Sequence, residues 1–228
     1  MQSATARQFA VLRRPRDRMS VAARATRRCW PGWSRGQRHR QNSLHRGCCH
    51  HACMLALKMN DAAVRALGVL DGLAAVAPPG GLAPGLRDLA ARGIVRRGRV
   101  LTWPHSASDA DGAPGSFQDL TGWECSDSSV HLDDRVAVQI AVVDGEPVIS
   151  EADELVLLRH GLALALELSA AVYALWPPSP VRCIVASNVG GATFRFHQIR
   201  PGEDWNMPDL DEYQMQKVIV LDIEPARP

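Results

Sequence analysis

One long apolar segment with a capped start and a double-proline stop does most to limit what this chain can fold into. Ser150 and Asp153 form an S-x-x-D box ahead of residues 151–175, and Pro177–Pro178 ends them. Leu155, Val156, Leu158, Leu162, Leu166 and Ala170 cover one broad face of the resulting helix, which must therefore lie against an apolar surface. Strand signals flank it on both sides. Val136, Val138, Ile140 and Val142 alternate ahead of an Asp144–Gly145 turn into 146–149, which predicts a β-hairpin. Residues 181–187 and 192–199, joined through 188–191, predict a second hairpin, and 217–223 a nearly all-apolar central strand. Strands joined by short turns, with the helices separate, indicate an α+β fold: a mostly antiparallel sheet packed by the long helix.

Smaller helices precede this unit. Residues 60–76 carry apolar side chains at helical spacing, with Asn60 as N-cap and Pro78–Pro79 as stop. Residues 84–92 predict a short helix that Pro84 opens and Gly93 closes. Residues 94–103 read as one strand with a kink at Gly98, and 104–129 as a long surface loop pinned by Trp123. A helical turn is expected within 209–215.

Charge divides the chain in two. Residues 1–50 hold twelve arginines, no lysine and a single acid, Asp17, a formal +11. Residues 51–228 hold fourteen Lys and Arg against twenty-three Asp and Glu, a formal −9. Residues 1–53 lack sustained periodicity and enough apolar side chains to offset the entropy of ordering, so they are expected to be a disordered basic tail. Their Arg, Gly, Ala, Pro, Cys and His content is also what a GC-rich coding strand yields when a start codon is placed too early, with translation then starting at Met54 or Met59. If retained, the tail suits nucleic acid through Arg13, Arg14, Arg16, Arg18, Arg27 and Arg28, or an organellar transit role. His45, Cys48, Cys49, His50, His51 and Cys53 are zinc-type ligands, but the patch lacks the distant second pair that a finger needs, so no metal is expected. Residues 54–228 form the acidic α+β domain.

Within that domain, His131 and Asp133 flank Leu132 and share one side of an extended chain, with Asp134 beside them. Thr193, Arg195 and His197 share one face of a strand and Phe194 and Phe196 the other. Should His131, Asp133, Asp134, Arg195 and His197 converge, they would supply a base, its orienting carboxylate and an anion holder, the parts of an enzyme site. There is no G-x-S-x-G elbow, Walker loop, G-x-G-x-x-G or H-E-x-x-H, and no cofactor is expected.

A different constellation gives the favoured reading. Glu203, Asp204, Asp209, Asp211 and Glu212 are interleaved with Trp205, Met207 and Tyr213, a mixture of carboxylates and apolar side chains that suits a basic protein partner. The expectation is a small protein-binding domain, non-enzymatic, with similarity in charge and size alone to acidic inhibitors of basic nucleases. A third reading, nucleic-acid binding by the domain itself, rests on Arg87, Arg92, Arg96, Arg97 and Arg99 around a helix and a following strand. No apolar run reaches the length of a membrane span and no signal sequence is visible, so a cytoplasmic location without membrane contact is expected.

Overall fold

The computed structural model describes residues 21–24, 54–68 and 76–225. In chain order these form β1 (Val21–Arg24), β2 (Met54–Met59), α1 (Asp61–Leu67), α2 (Pro84–Arg92), β3 (Val95–Arg97) and β4 (Val100–Thr102). There follow α3 (Leu120–Asp127), β5 (Val130–His131), β6 (Ile140–Val143), β7 (Glu146–Ile149) and α4 (Glu151–Tyr173). The chain ends with β8 (Val181–Asn188), β9 (Gly191–Gln198), a 3-10 turn at Leu210–Glu212 and β10 (Lys217–Glu224). Six strands make one sheet in the order β1-β2-β10-β8-β9-β5, antiparallel throughout, while β3–β4 and β6–β7 are separate two-stranded ribbons. The fold is α+β, with α4 across one face of the sheet.

The long helix forms for the reasons visible in its residues. Ser150 caps it through Asp153 N–H, and Leu157, Leu158, Leu164, Leu168 and Val172 are fully buried. They meet Val181, Cys183, Val185, Phe194, Phe196, Ile219, Leu221 and Ile223, the inward residues of β8, β9 and β10. Gly161 brings the helix closest: a Cβ there would stand 2.6 Å from Val185 Cγ1 and 3.0 Å from Leu132 Cδ1. By length and composition this helix could cross a membrane, contrary to the expectation from sequence, yet its leucines fill the core of the domain. α2 docks beside it, where Ala83 N–H donates to His160 Nδ1 at 3.3 Å.

Several boundaries differ from expectation. Residues 54–59, just ahead of the expected first helix, are a strand paired with β10. The helix itself spans Asp61–Leu67, with Asn60 as N-cap and Gly68 in the left-handed region at φ 61°, and 69–75 lie outside the described residues. Residues 94–103 are a hairpin, because Gly98 at φ 55° turns the chain back. The expected loop 104–129 contains α3, whose N-cap Asp119 accepts from Gly122 N–H and whose Trp123 is buried. Its polar composition hid a helix that is held by buried side-chain bonds more than by an apolar stripe. The ribbon strand begins at Ile140, since Leu132–Val136 form a turn in which Val136 N–H donates to Leu132 C=O. Of residues 1–53 only 21–24 are described; they pair with β2, and the expected disorder of the rest, its zinc-type cluster and its arginines lie outside the described residues.

Gly161→Ala should therefore destabilise the domain by about 1–3 kcal/mol, because Val185 is β-branched and packed and cannot swing away. A urea melt beside the unaltered chain reads the loss as a lower midpoint with the same slope.

Candidate functional site

The sheet face turned away from α4 carries the polar chemistry. Register places Asp222 of β10, Arg182 of β8 and His197 of β9 side by side across three strands. Arg182 grips Asp222 with two bonds, Nε to Oδ1 at 2.6 Å and a terminal nitrogen to Oδ2 at 3.0 Å, and Lys58 of β2 adds a contact at 3.3 Å. Burial alone would raise the Asp222 carboxyl, but the Arg182 bonds and charge, with Lys58, hold it below the ordinary carboxylate value. Ile184, Val218 and Val220 continue the face as a small apolar patch that Leu210 and Tyr213 cover. The segment 199–216 thus lies over this face.

The structure distributes the five residues proposed for a reacting centre. His131 lies opposite Thr193, and together with Arg195 they line a cleft of about 260 Å³ floored by Gly190 and Gly191. Arg195 also donates to Thr193 Oγ1 at 3.3 Å and stacks its guanidinium over Trp205, 5.7 Å from the ring centre. Asp134 lines a neighbouring cleft of about 360 Å³ with His131, His105 and Asp127. Asp133 is turned inward, its Oδ1 accepting from Ala192 N–H at 3.3 Å. His197 is wholly buried, roughly 13 Å along β9 from the position opposite His131. Its Nδ1 lies 2.8 Å from the Gln198 carbonyl, and burial, with Arg182 and Arg200 nearby, holds it below the ordinary histidine value. His131 and Arg195 are brought together; His197 and Asp133 are not brought into their cleft.

The acidic tract divides in the same way. Glu203 accepts from Thr121 N–H and Oγ1, Asp204 reaches Arg182 at 3.2 Å, and Tyr213 Oη accepts from Met207 N–H at 3.0 Å. Glu203 ties the segment to α3 and Asp204 ties it to the sheet, while the Tyr213 bond closes the segment on itself. Asn60, 2 % exposed, holds the segment from α1: its Oδ1 accepts from Ala63 and Val218 N–H while its Nδ2 donates to the Tyr213 and Gln216 carbonyls. Asp211 then accepts from Asp61 N–H at 2.7 Å, and Asp209 from Asp211 N–H at 3.2 Å. The result is a fixed corner where Asp61, Asp209, Asp211 and Glu212 are exposed, with Trp205, Met207 and Met215 exposed on the same segment.

Sequence reading missed the most buried acid. Glu124 on α3 is fully inaccessible and accepts four bonds: from Leu101 N–H at 2.6 Å, Gln198 N–H at 2.7 Å, and two Arg200 nitrogens at 2.7 and 2.8 Å. Glu154 on α4 is its counterpart, bonded to Lys217 and to Ser187 Oγ. Reading 104–129 as a loop concealed Glu124, and nothing in its neighbours' spacing marks it. Of the five arginines offered for nucleic acid, Arg96 bonds Gln198 and Ser179, Arg97 the carbonyls of Pro104 and Ser106, and Arg87 that of Leu82. Among the described residues no group of three His, Cys, Asp or Glu gathers to hold a metal ion.

Among known proteins, a family model described as the uncharacterized protein PM0498 family matches residues 80–227. No curated protein and no solved structure matches the chain.

Two outcomes follow from this geometry. Glu124→Gln should cost about 3 kcal/mol in chemical denaturation, because it leaves the Arg200 charge without its buried counterpart. Lowering the pH from 7 to 5 should also reduce stability. His160 and His197 are both held below 6.5, so there the unfolded chain takes up protons that the fold refuses. Thermal melts of His197→Gln should show a flatter pH dependence over that interval than the unaltered chain.

Proposed function

The chain belongs to the uncharacterized protein PM0498 family, and we propose that it is a binding protein whose acidic corner docks a basic protein partner. One observation carries this reading. Glu203 and Asp204 are engaged with Thr121 and Arg182, yet Asp61, Asp209, Asp211 and Glu212 are held together at the surface. The one cation within ion-pair reach of this corner, among the described residues, is Arg65, 3.9 Å from Asp61 in an exposed pair of little strength. Exposed Met207, Met215 and Trp205 supply apolar contact area beside the charge. The excess of acids over 51–228 extends the same field and would speed capture of a cationic surface.

A small-anion site is the second reading, favoured by His131 and Arg195 sharing a cleft with the Thr193 hydroxyl. That cleft lacks the carboxylate and the second histidine that a hydrolytic or acid–base mechanism was expected to draw from Asp133 and His197. Binding therefore has the stronger support.

Asp61→Lys with Glu212→Lys is the informative pair, since neither side chain caps a helix or bonds the backbone, whereas Asp209 caps the 3-10 turn and Asp211 accepts from Asp61 N–H. In crosslinked capture from host extract, the unaltered chain should retain a protein of high isoelectric point, and more of it at low salt. The double reversal should weaken that retention about 10-fold or more. Retention indifferent to both salt and charge reversal would overturn the reading.

A further inference from the structure

The β6–β7 ribbon projects from the domain with apolar side chains in water. Ile140 is 51 % exposed, Val142 73 % and Val143 52 %, although the sheet beside them has buried nearly every residue of that type. Exposed ribbons of this kind usually have both edges blunted. Here only one is.

The pairing fixes which groups face outward. Val143 is opposite Glu146 across the Asp144–Gly145 turn, so this pair exchanges hydrogen bonds, as does Ala141 with Val148. The outward positions of β7 are then 147 and 149. Pro147 has no N–H to offer, and Ile149 N–H is already bonded to the Val189 carbonyl at 2.8 Å. That bond confirms the phase of the ladder. On β6 the outward positions are Ile140 and Val142, whose N–H and C=O groups have no backbone partner among the described residues. No proline, lysine or bulge protects that edge.

We infer that β6 pairs with β6 of a second copy of this chain, antiparallel about a two-fold axis at Ala141. In that register Ile140 of each copy lies opposite Val142 of the other, so the outward N–H and C=O groups of both strands bond each other. The Ile140 and Val142 side chains of both copies meet on one face of the new four-stranded ribbon. Charge favours this direction, because the antiparallel register keeps the acidic tips of the two ribbons, Asp144 and Glu146, away from each other. A parallel arrangement would set tip against tip. The contact is small, so association is concentration-dependent.

Ala141 gives a sharp test, because it is the residue that meets its own copy. Residues opposite each other at a non-hydrogen-bonded antiparallel position approach to about 4.5 Å between Cα atoms, within disulfide range. Mild oxidation of the full chain carrying Ala141→Cys should give a covalent dimer, with the 141–141 link identified by mass mapping. Val143→Cys, which meets residue 139 instead, should not link to itself. Val142→Pro removes an outward N–H and no ladder bond, and should shift sedimentation of a concentrated sample from dimer to monomer. A monomer at every concentration without a 141–141 link would overturn the proposal, and so would a dimer that ignores both changes. Asp61→Lys with Glu212→Lys should leave the dimer intact, which separates this outcome from failure of the acidic-corner reading.

Discussion

The Glu124–Arg200 pair is the contact on which the arrangement of the smaller elements depends. A six-stranded open sheet leaves two edges, and the two-residue β5 covers only Thr193 and Phe194 of β9 along one of them. The remainder of β9 is closed by side chains. Ser128 Oγ accepts from Phe196 N–H and donates to Phe196 C=O, Glu124 takes Gln198 N–H, and Asp133 takes Ala192 N–H. The carboxylate of Glu124 also holds Leu101 N–H of β4, so the β3–β4 ribbon, α3 and the sheet edge meet at one charge. A buried carboxylate is tolerable only with such a shell of donors and a counter-charge, and Arg200 supplies the latter with two bonds. Protection of the sheet edge and placement of α3 are one arrangement.

The sheet itself sorts chemistry by face. Odd-numbered residues of β8 and β10 and even-numbered residues of β9 face α4 and are apolar with few exceptions, and those exceptions are satisfied: Ser187 and Lys217 both bond Glu154. The opposite face holds Asp222, Arg182, His197 and Arg195, and it needs a cover that can meet charges as well as the Ile184–Val218–Val220 patch. The 199–216 segment meets both needs, with Asp204 for Arg182, Trp205 for Arg195, and Leu210 with Tyr213 for the patch. A loop that covers a mixed face must be mixed itself. Its carboxylates are therefore partly structural, and only the remainder is free to face a partner.

That division explains what could be read in the sequence and what could not. The capped long helix, the hairpin at Asp144–Gly145, the 181–199 hairpin and the final strand are written in local signals: caps, turn residues and period-two alternation. Strand 54–59 and α3 are not. MLALKM is short and becomes a strand because β10 offers it an edge, while α3 is held by bonds to residues some seventy positions away. The same limit applies to sites. Alternation correctly set Arg195 and His197 on one face, but it could not show that His197 is buried while Arg195 lines a cleft. Charge composition marked the tract 203–213; only the contacts of each carboxylate separate Glu203, engaged with Thr121, from Glu212.

The ribbon at 140–149 extends the argument to the surface. In the sheet, the outer edge of β9 is closed by β5 and, beyond it, by the side chains of Ser128 and Glu124. On the ribbon, β7 is closed by a proline and by the Val189 carbonyl. An edge strand left open beside so many closed ones is a position where satisfaction comes from outside the domain. Its apolar side chains point the same way, since the acidic corner and the His131 cleft are both built from other elements. The open edge and the acidic corner are consequently separable features. One is complementary to itself by symmetry, and the other is complementary to opposite charge.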